Sequence, residues 1–262
     1  MTNAALHVAR TGLDAQSARM RVIANNLANV NTTGFKKERA SFETLAYQAI
    51  TAPGAPSSAE NRYATGLSLG SGVKMTGTSR IDTQGSYQTT GNALDMAIEG
   101  AGFFQVQLPD GRTAYTRAGN FQPSAEGRIV TGDGKPLIPE ISIPEGAQAI
   151  TIGADGTVSA TLAGATEATE LGRIETARFV NPAGLQALGD NMFAETQSSG
   201  APQVGSPGIE GRGAVRAGTL EGSNVSVVEE LVDMIETQRA YEVNSKMISA
   251  TDEMLRTINQ NI

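Results

Sequence analysis

The run from Leu220 to Ile262 constrains this chain more than any other, because neither glycine nor proline occurs after Gly222. Apolar side chains there recur every seventh residue as adjacent pairs: Ala240 with Tyr241, Met247 with Ile248, and Met254 with Leu255, with single members at Met234 and Ile262. Such a repeat, free of breakers, is the pattern of a helix with a seam for another helix. Ser223 and Asn224 are residue types that cap helix N-termini, and Glu229 and Glu230 put negative charge in the opening turns, where the helix dipole favours it. The pattern predicts one uninterrupted helix of about ten turns. A helix of that length cannot bury its seam alone, so it needs a partner.

The other end of the chain supplies a candidate. Leu6, Leu13, Met20 and Leu27 are spaced by seven, and Ala9, Gln16, Ile23 and Val30 each follow by three, an a/d repeat over four heptads. Two ordinary amphipathic helices docked on a core would be the plainer arrangement. Matching repeats at both ends favour helices that pair with one another or with neighbouring subunits.

Between them the texture changes. The spacing from Phe35 to Ala49 is compatible with helix, and Pro53-Gly54-Ala55-Pro56-Ser57-Ser58 then breaks any regular element into a loop or extended arm. Beyond it the signals favour strands. Phe103, Phe104, Val106 and Leu108 lead into Pro109-Asp110-Gly111, and Thr113, Tyr115 and Arg117 resume, predicting a hairpin. Asp133-Gly134 and Asp155-Gly156 mark two further turns. A strand is expected over Arg173 to Val180, stopping at Asn181-Pro182-Ala183-Gly184, with Asn191 to Glu195 as its partner. The 30 glycines and a turn signal every ten or so residues predict a compact antiparallel β body. The fold class is therefore α+β: long N- and C-terminal helices forming a coiled-coil core domain, and a central antiparallel β domain.

Composition narrows the chemistry. A net charge of -7 argues against nucleic acid, since the only local basic group is Lys36, Lys37 and Arg39. No run approaches the length of a membrane span, and Met1 to Met20 lacks the apolar core of a cleaved signal peptide, so no direct membrane insertion and no signal-peptide route are expected. The absence of cysteine excludes thiol catalysis, disulfides and thiolate metal sites. The only histidine, His7, falls in the first helix, so no Ser-His-Asp triad or multi-histidine site arises from one chain. Gly208, Gly211 and Gly213 lack the strand-to-helix context of a phosphate loop. The expectation is no enzyme, no cofactor, no metal and no catalytic residue.

The end of the first helix is more specific. From Ala24 to Lys36 four asparagines, Asn25, Asn26, Asn29 and Asn31, fall within seven positions, and Gly34 closes the run with the residue suited to a left-handed backbone. Asparagine is a poor helix former whose amide competes for backbone hydrogen bonds, so its concentration serves another purpose. In a helical assembly such amides fix register between neighbouring chains at some cost in stability.

These residues resemble the rod and hook proteins of the bacterial flagellum. Asn25 to Lys36 looks like that family's N-terminal signature. Ser223-Asn224-Val225, Glu229-Glu230-Leu231-Val232, Gln238-Arg239-Ala240-Tyr241-Glu242 and Asn244-Ser245-Lys246 look like its C-terminal one. Ile98-Glu99-Gly100 with Gly102-Phe103-Phe104, then Pro109-Asp110-Gly111 and Tyr115-Thr116-Arg117, resemble the middle block of its rod and hook members. The length, and Glu195-Thr196-Gln197-Ser198-Ser199-Gly200-Ala201-Pro202, resemble the distal-rod branch; a proximal rod or hook protein is the alternative within the family, and a secreted β-rich binding module with oligomerising helices the alternative outside it.

The resemblance implies a structural subunit exported through the flagellar type III apparatus without a cleaved signal peptide. It would polymerise into the straight, hollow, torque-transmitting drive shaft that crosses the periplasm in the flagellar basal body. Residues 1–34 and 223–262 would form the inner core, 35–94 and 196–222 a connecting segment or extended arm, and 95–195 the outer β domain. Other copies of the chain, proximal rod proteins, the hook protein, the P-ring and L-ring proteins, the rod cap and the export apparatus would be its partners. The expected assembly interface comprises Leu6, Leu13, Met20, Leu27, Asn25, Asn26, Asn29, Met234, Tyr241, Met247, Ile248, Met254 and Leu255.

Overall fold

The computed structural model describes residues 2–56, 61–162 and 167–260, and the side chains of all these except 2–4, 255 and 258–260. The chain divides into two compact units, one of Met1–Leu27, Glu38–Ser79 and Ser226–Ile262, the other of Ala28–Lys37 and Arg80–Val225. The fold is α+β: an N-terminal helix α1 (Thr2–Ala28), a C-terminal helix α2 (Val227–Gln260) and β-structure between them.

The first unit holds the two helices and two strand pairs, Glu38–Thr44 with Val73–Arg80 and Tyr47–Thr51 with Leu67–Gly70. The expectation of helix from Phe35 to Ala49 is thus overturned: the stretch is extended. Phe42, Thr44 and Tyr47 suit a pleated ribbon, and Tyr47 stands opposite Gly70 with its ring beside that glycine. The pairing continues outward, with Gly54 donating to Tyr63 O at 2.9 Å and Tyr63 to Ala55 O at 2.9 Å. Pro53-Gly54 therefore turns within a long β-arm; Ser57 and Ser58 of that stretch lie outside the described residues. The ribbon meets α1 where Thr11 Oγ1 accepts the Val73 amide at 3.3 Å. A side chain at Gly72 (φ +111°) would strike Thr11.

The second unit is the β body. Its main sheet runs Gln186–Gly189, Met192–Ala194, Thr113–Thr116, Phe103–Gln107, Thr176–Arg178 and Gln203–Gly205, with Leu137–Ile138 also paired to Phe103–Gln107. The predicted hairpin is present, Phe104 opposite Thr116 and Gln107 opposite Thr113. Asp155-Gly156 likewise turns strand Ala147–Ile152 into Thr157–Leu162. Arg173 to Val180 is not one strand: it divides between Thr169–Arg173, in a separate three-stranded sheet, and Thr176–Arg178. Met192–Ala194 pairs with Thr113–Thr116 and Gln186–Gly189 instead of that stretch. A strand's neighbours depend on the whole body, which local periodicity does not report.

Neighbouring strand residues point to opposite faces, and both faces of this sheet are covered. Phe104, Val106, Ala114 and Met192 join Met96, Ile98, Phe121, Ile129, Leu137, Ile174 and Val215 in one core, while Phe103, Tyr115, Ala177 and Phe193 join Phe179 and Leu185 in another. Edge-to-face ring contacts, Phe104 on Phe121 at 5.3 Å and Tyr115 on Phe179 at 4.8 Å, add specificity to the burial.

Candidate assembly surface and a buried junction

In the first unit α1 and α2 run antiparallel, joined by polar side chains. Asn26 Nδ2 donates to Glu230 Oε2 at 3.2 Å, Arg19 Nη2 to Asp233 Oδ1 at 3.1 Å, and Gly12 leaves space that the Asn244 amide occupies. From Asn26 back to Gly12 and from Glu230 on to Asn244 both count fourteen residues, so the two ends of the contact keep step, and between them the long Arg19 side chain reaches back along α2 to Asp233. Ala9, Ala15, Ala18, Ile23 and Asn26 are buried on α1, and Glu230 and Thr237 on α2. Buried polar groups are tolerated when paired. Asn26 is: besides Glu230 it donates to Glu38 O at 2.9 Å and accepts the Glu38 amide at 3.0 Å. Its amide binds the helix end to the following strand and to α2 within this chain.

Because α2 turns a polar side to α1, much of its apolar surface faces outward. Val228 is 73% exposed, and Leu231, Val232 and Ile235 are exposed with it on the first turns; Val243, Met247 and Met254 continue an exposed row at helical spacing. Successive residues of a helix lie about 100° apart, and this splits the adjacent pairs seen in the sequence. Met234 and Ile248 are half-buried, whereas Tyr241, Met247 and Met254 are exposed; the Leu255 side chain lies outside the described residues. Leu6, Leu13, Met20 and Leu27 form a half-buried row on α1, Asn25 is exposed, and Asn29, half-buried, accepts a hydrogen bond from Thr32 Oγ1 at 3.1 Å. His7 is exposed, its Nδ1 3.3 Å from Ser71 O.

The second unit contains a junction that pattern reading did not anticipate. Lys36 Nζ lies 2.5 Å from Glu221 Oε1 and 2.7 Å from Thr83 O, while Arg117 Nε lies 3.3 Å from Glu221 Oε2. The last contact is an ion pair without hydrogen-bond alignment, so Oε2 has no aligned donor. Arg117 is satisfied elsewhere too, donating to Gly100 O at 2.8 Å and Gly102 O at 3.0 Å. All three ionic groups are sealed from water, Glu221 completely. Burial pulls the Lys36 amine below the usual lysine value, with the Glu221 carboxylate opposing it, and burial likewise lowers Arg117.

Asn224 completes the junction. Its Oδ1 accepts the Lys37 amide at 2.7 Å, and its Nδ2 donates to Ile81 O at 2.8 Å and to the Thr83 carbonyl and hydroxyl. It is therefore a tie between three extended segments, and not the cap of α2 that its residue type suggested. The helix begins at Val227, with Ser226 O accepting the Glu230 amide at 3.0 Å. Gly34 is left-handed as expected (φ +69°), but α1 has ended at Ala28. The glycine is needed because a Cβ there would lie 2.6 Å from the Arg117 carbonyl carbon. Among the described residues no cluster of His, Asp and Glu is placed to hold a metal ion, and no helix is long and apolar enough to cross a membrane.

The elements just described coincide with three family profiles. Residues 6–36 match "Flagella basal body rod protein", 97–160 match "Flagellar hook protein FlgE/F/G D1 domain", and 216–261 match "Flagellar basal body rod FlgEFG protein C-terminal". Whole-chain relatives agree. The flagellar basal-body rod protein FlgG of Buchnera aphidicola subsp. Acyrthosiphon pisum is 51% identical over 255 residues, covering 97% of this chain and 98% of that protein. The protein of the same name from Agrobacterium fabrum is 48% identical over 259 residues, 98% of this chain and 99% of its own. The flagellar basal-body rod protein FlgF of Caulobacter vibrioides is 37% identical over 240 residues, 90% of this chain and 88% of its own.

Proposed function

This chain belongs to the flagellar basal-body rod protein family, and from that premise we propose that its terminal helices polymerise it into the straight hollow shaft of the rod. It is a structural subunit of the distal rod and not an enzyme. The single observation that supports the helical route is the row of exposed apolar side chains on α2, from Val228 through Met247 to Met254. Covering such a row with a neighbouring copy yields roughly 25 cal/mol per Å² of apolar surface. A face on one helix that meets a different face on the next subunit makes a heterologous contact, which propagates into an open helix where its rotation does not close a ring.

On this reading Leu6, Leu13, Met20 and Leu27 of α1, with Tyr241, Met247, Met254 and Leu255 of α2, belong to contacts between copies, in coiled-coil fashion. Asn25, Asn26 and Asn29 contribute from the helix end, Asn26 through the intrachain pair that it fixes, and Met234 and Ile248 belong to the same seam. The partners are then further copies, the proximal rod proteins, the hook protein, the P-ring and L-ring proteins, the rod cap and the type III export apparatus, and the rod crosses the periplasm.

The test compares neighbours. Met247→Asp or Met254→Asp should leave the monomer's helix content unchanged in circular dichroism but abolish rods in electron micrographs, because assembly would bury an unpaired carboxylate at a cost of several kcal/mol. Normal rods from both variants would refute the helical interface.

A further inference from the structure

We infer that the segment from Gly213 to Asn224 closes the β body last, holding it open along one side until these residues arrive. This single stretch bonds to four separated pieces of the unit. Gly213 N donates to Ala101 O at 2.7 Å, Val215 N to Ala154 O at 3.0 Å, Gly222 N to Ser86 O at 2.7 Å, and Glu221 O accepts from Gly34 N at 2.7 Å. Strand Ala214–Ala217 pairs with Met96–Glu99, and strand Thr219–Glu221 pairs with Tyr87–Thr89. Each is a two-stranded ladder, so among the described residues this segment is the only ladder partner of Tyr87–Thr89 and Met96–Glu99, although the Met96 amide also donates to Gly119 O at 2.9 Å. Val215 also enters the main core beside Met96 and Ile98.

Order follows from chain separation. The hairpin Phe103–Gln107 with Thr113–Thr116 closes over a few residues, whereas Glu99 must wait for Ala214, more than a hundred residues on. Long closures carry a larger entropic cost and form later. Charge reinforces the order. Until Glu221 is present Lys36 lacks its carboxylate, and an unpaired ammonium is far better solvated in water than in the interior. The open body therefore keeps Lys36 hydrated, and the arriving carboxylate permits its burial. Where the chain is delivered N-terminus first, an application that rests on the rod reading, the body cannot lock until Asn224 has been delivered.

Pulsed hydrogen exchange during refolding of the full-length chain from urea tests this. Amides of Phe103–Gln107 and Thr113–Thr116 should gain protection first, and those of Gly34, Thr90, Gly213, Val215 and Gly222, whose hydrogen bonds cross to or from the closing segment, together in a later phase. Protection of Gly213, Val215 and Gly222 as early as the hairpin would overturn the inference. In Glu221→Gln the hairpin phase should persist at the wild-type rate while the closing phase slows at least tenfold or disappears. Closure at the wild-type rate, or loss of hairpin protection as well, would each overturn it. Refolding needs no export apparatus, so this result and the rod assignment can fail independently.

Discussion

Lys36 and Glu221 lie 185 positions apart in the chain and share a 2.5 Å contact sealed from water, with Arg117 on the carboxylate's other oxygen. One carboxylate thus serves two buried cations, and removing either side of the arrangement should have unequal effects. Lys36→Met leaves Glu221 paired with Arg117 and should cost about 1–3 kcal/mol. Glu221→Gln strands both cations and should cost about 3–5 kcal/mol. Urea midpoints of the two variants check this; equal losses, or a larger loss for Lys36→Met, would show that the carboxylate is not shared.

A second prediction concerns Asn26, which reaches Glu38 and Glu230 with the same amide. Asn26→Asp replaces the donor by a carboxylate facing another, and should loosen the α1–α2 pair by about 1–3 kcal/mol. Adding Glu230→Gln restores a donor across the gap and should recover part of the loss. Protease sensitivity of the terminal helices reads both. A double variant no better than Asn26→Asp alone would mean that the contact with Glu230 contributes nothing.

Tyr115 offers a pH-dependent test. Burial first, then the Glu195 carboxylate, push its hydroxyl up to about 12, against about 10 in an unfolded chain. Between those values the folded state holds a proton that the unfolded state has lost, so stability is complete below about pH 10 and falls as pH rises towards about 12. Tyr115→Phe should remove this slope: the difference between its urea midpoint and the wild type's should change from about pH 9 to about pH 11.5. A constant difference would contradict the shifted hydroxyl.

How much of this was legible in the sequence depended on range. Asp110-Gly111 and Asp155-Gly156 encode their turns within four residues, and both hairpins are present. The two helices were legible because glycine and proline are absent from α2 and heptads persist through α1. The direction of α2's faces was not. Met247 and Ile248 are equally apolar on paper, and only the polar register set by Asn26, Arg19 and Asn244 determines that Ile248 is half-buried and Met247 exposed. Lys36, Arg117 and Glu221 carry no local signal at all, since each is an ordinary charged residue until the fold brings them together. Asn224 misled for a related reason: a capping residue type and a tie between segments look alike in one dimension.

The β-arm gives the last prediction. Tyr47, Ile50, Tyr63, Leu67 and Leu69 are all exposed on it, an unusual density of apolar side chains for a surface ribbon. Their cross-strand ladder is already satisfied inside the chain, Tyr47 opposite Gly70 and Gln48 opposite Leu69, so their apolar faces are free to meet another surface. In a rod, an arm that contacts a neighbouring subunit restrains sliding, because each such contact must break before subunits shift. Replacing Ile50, Leu67 and Leu69 by serine keeps the backbone ladder and removes the apolar contact. Rods should still assemble through the terminal helices but become curved in electron micrographs, with a shorter persistence length than wild type. Rods of unchanged straightness would place the source of stiffness in the β body, and deletion of residues 52–62 would then be expected to leave the shaft straight as well.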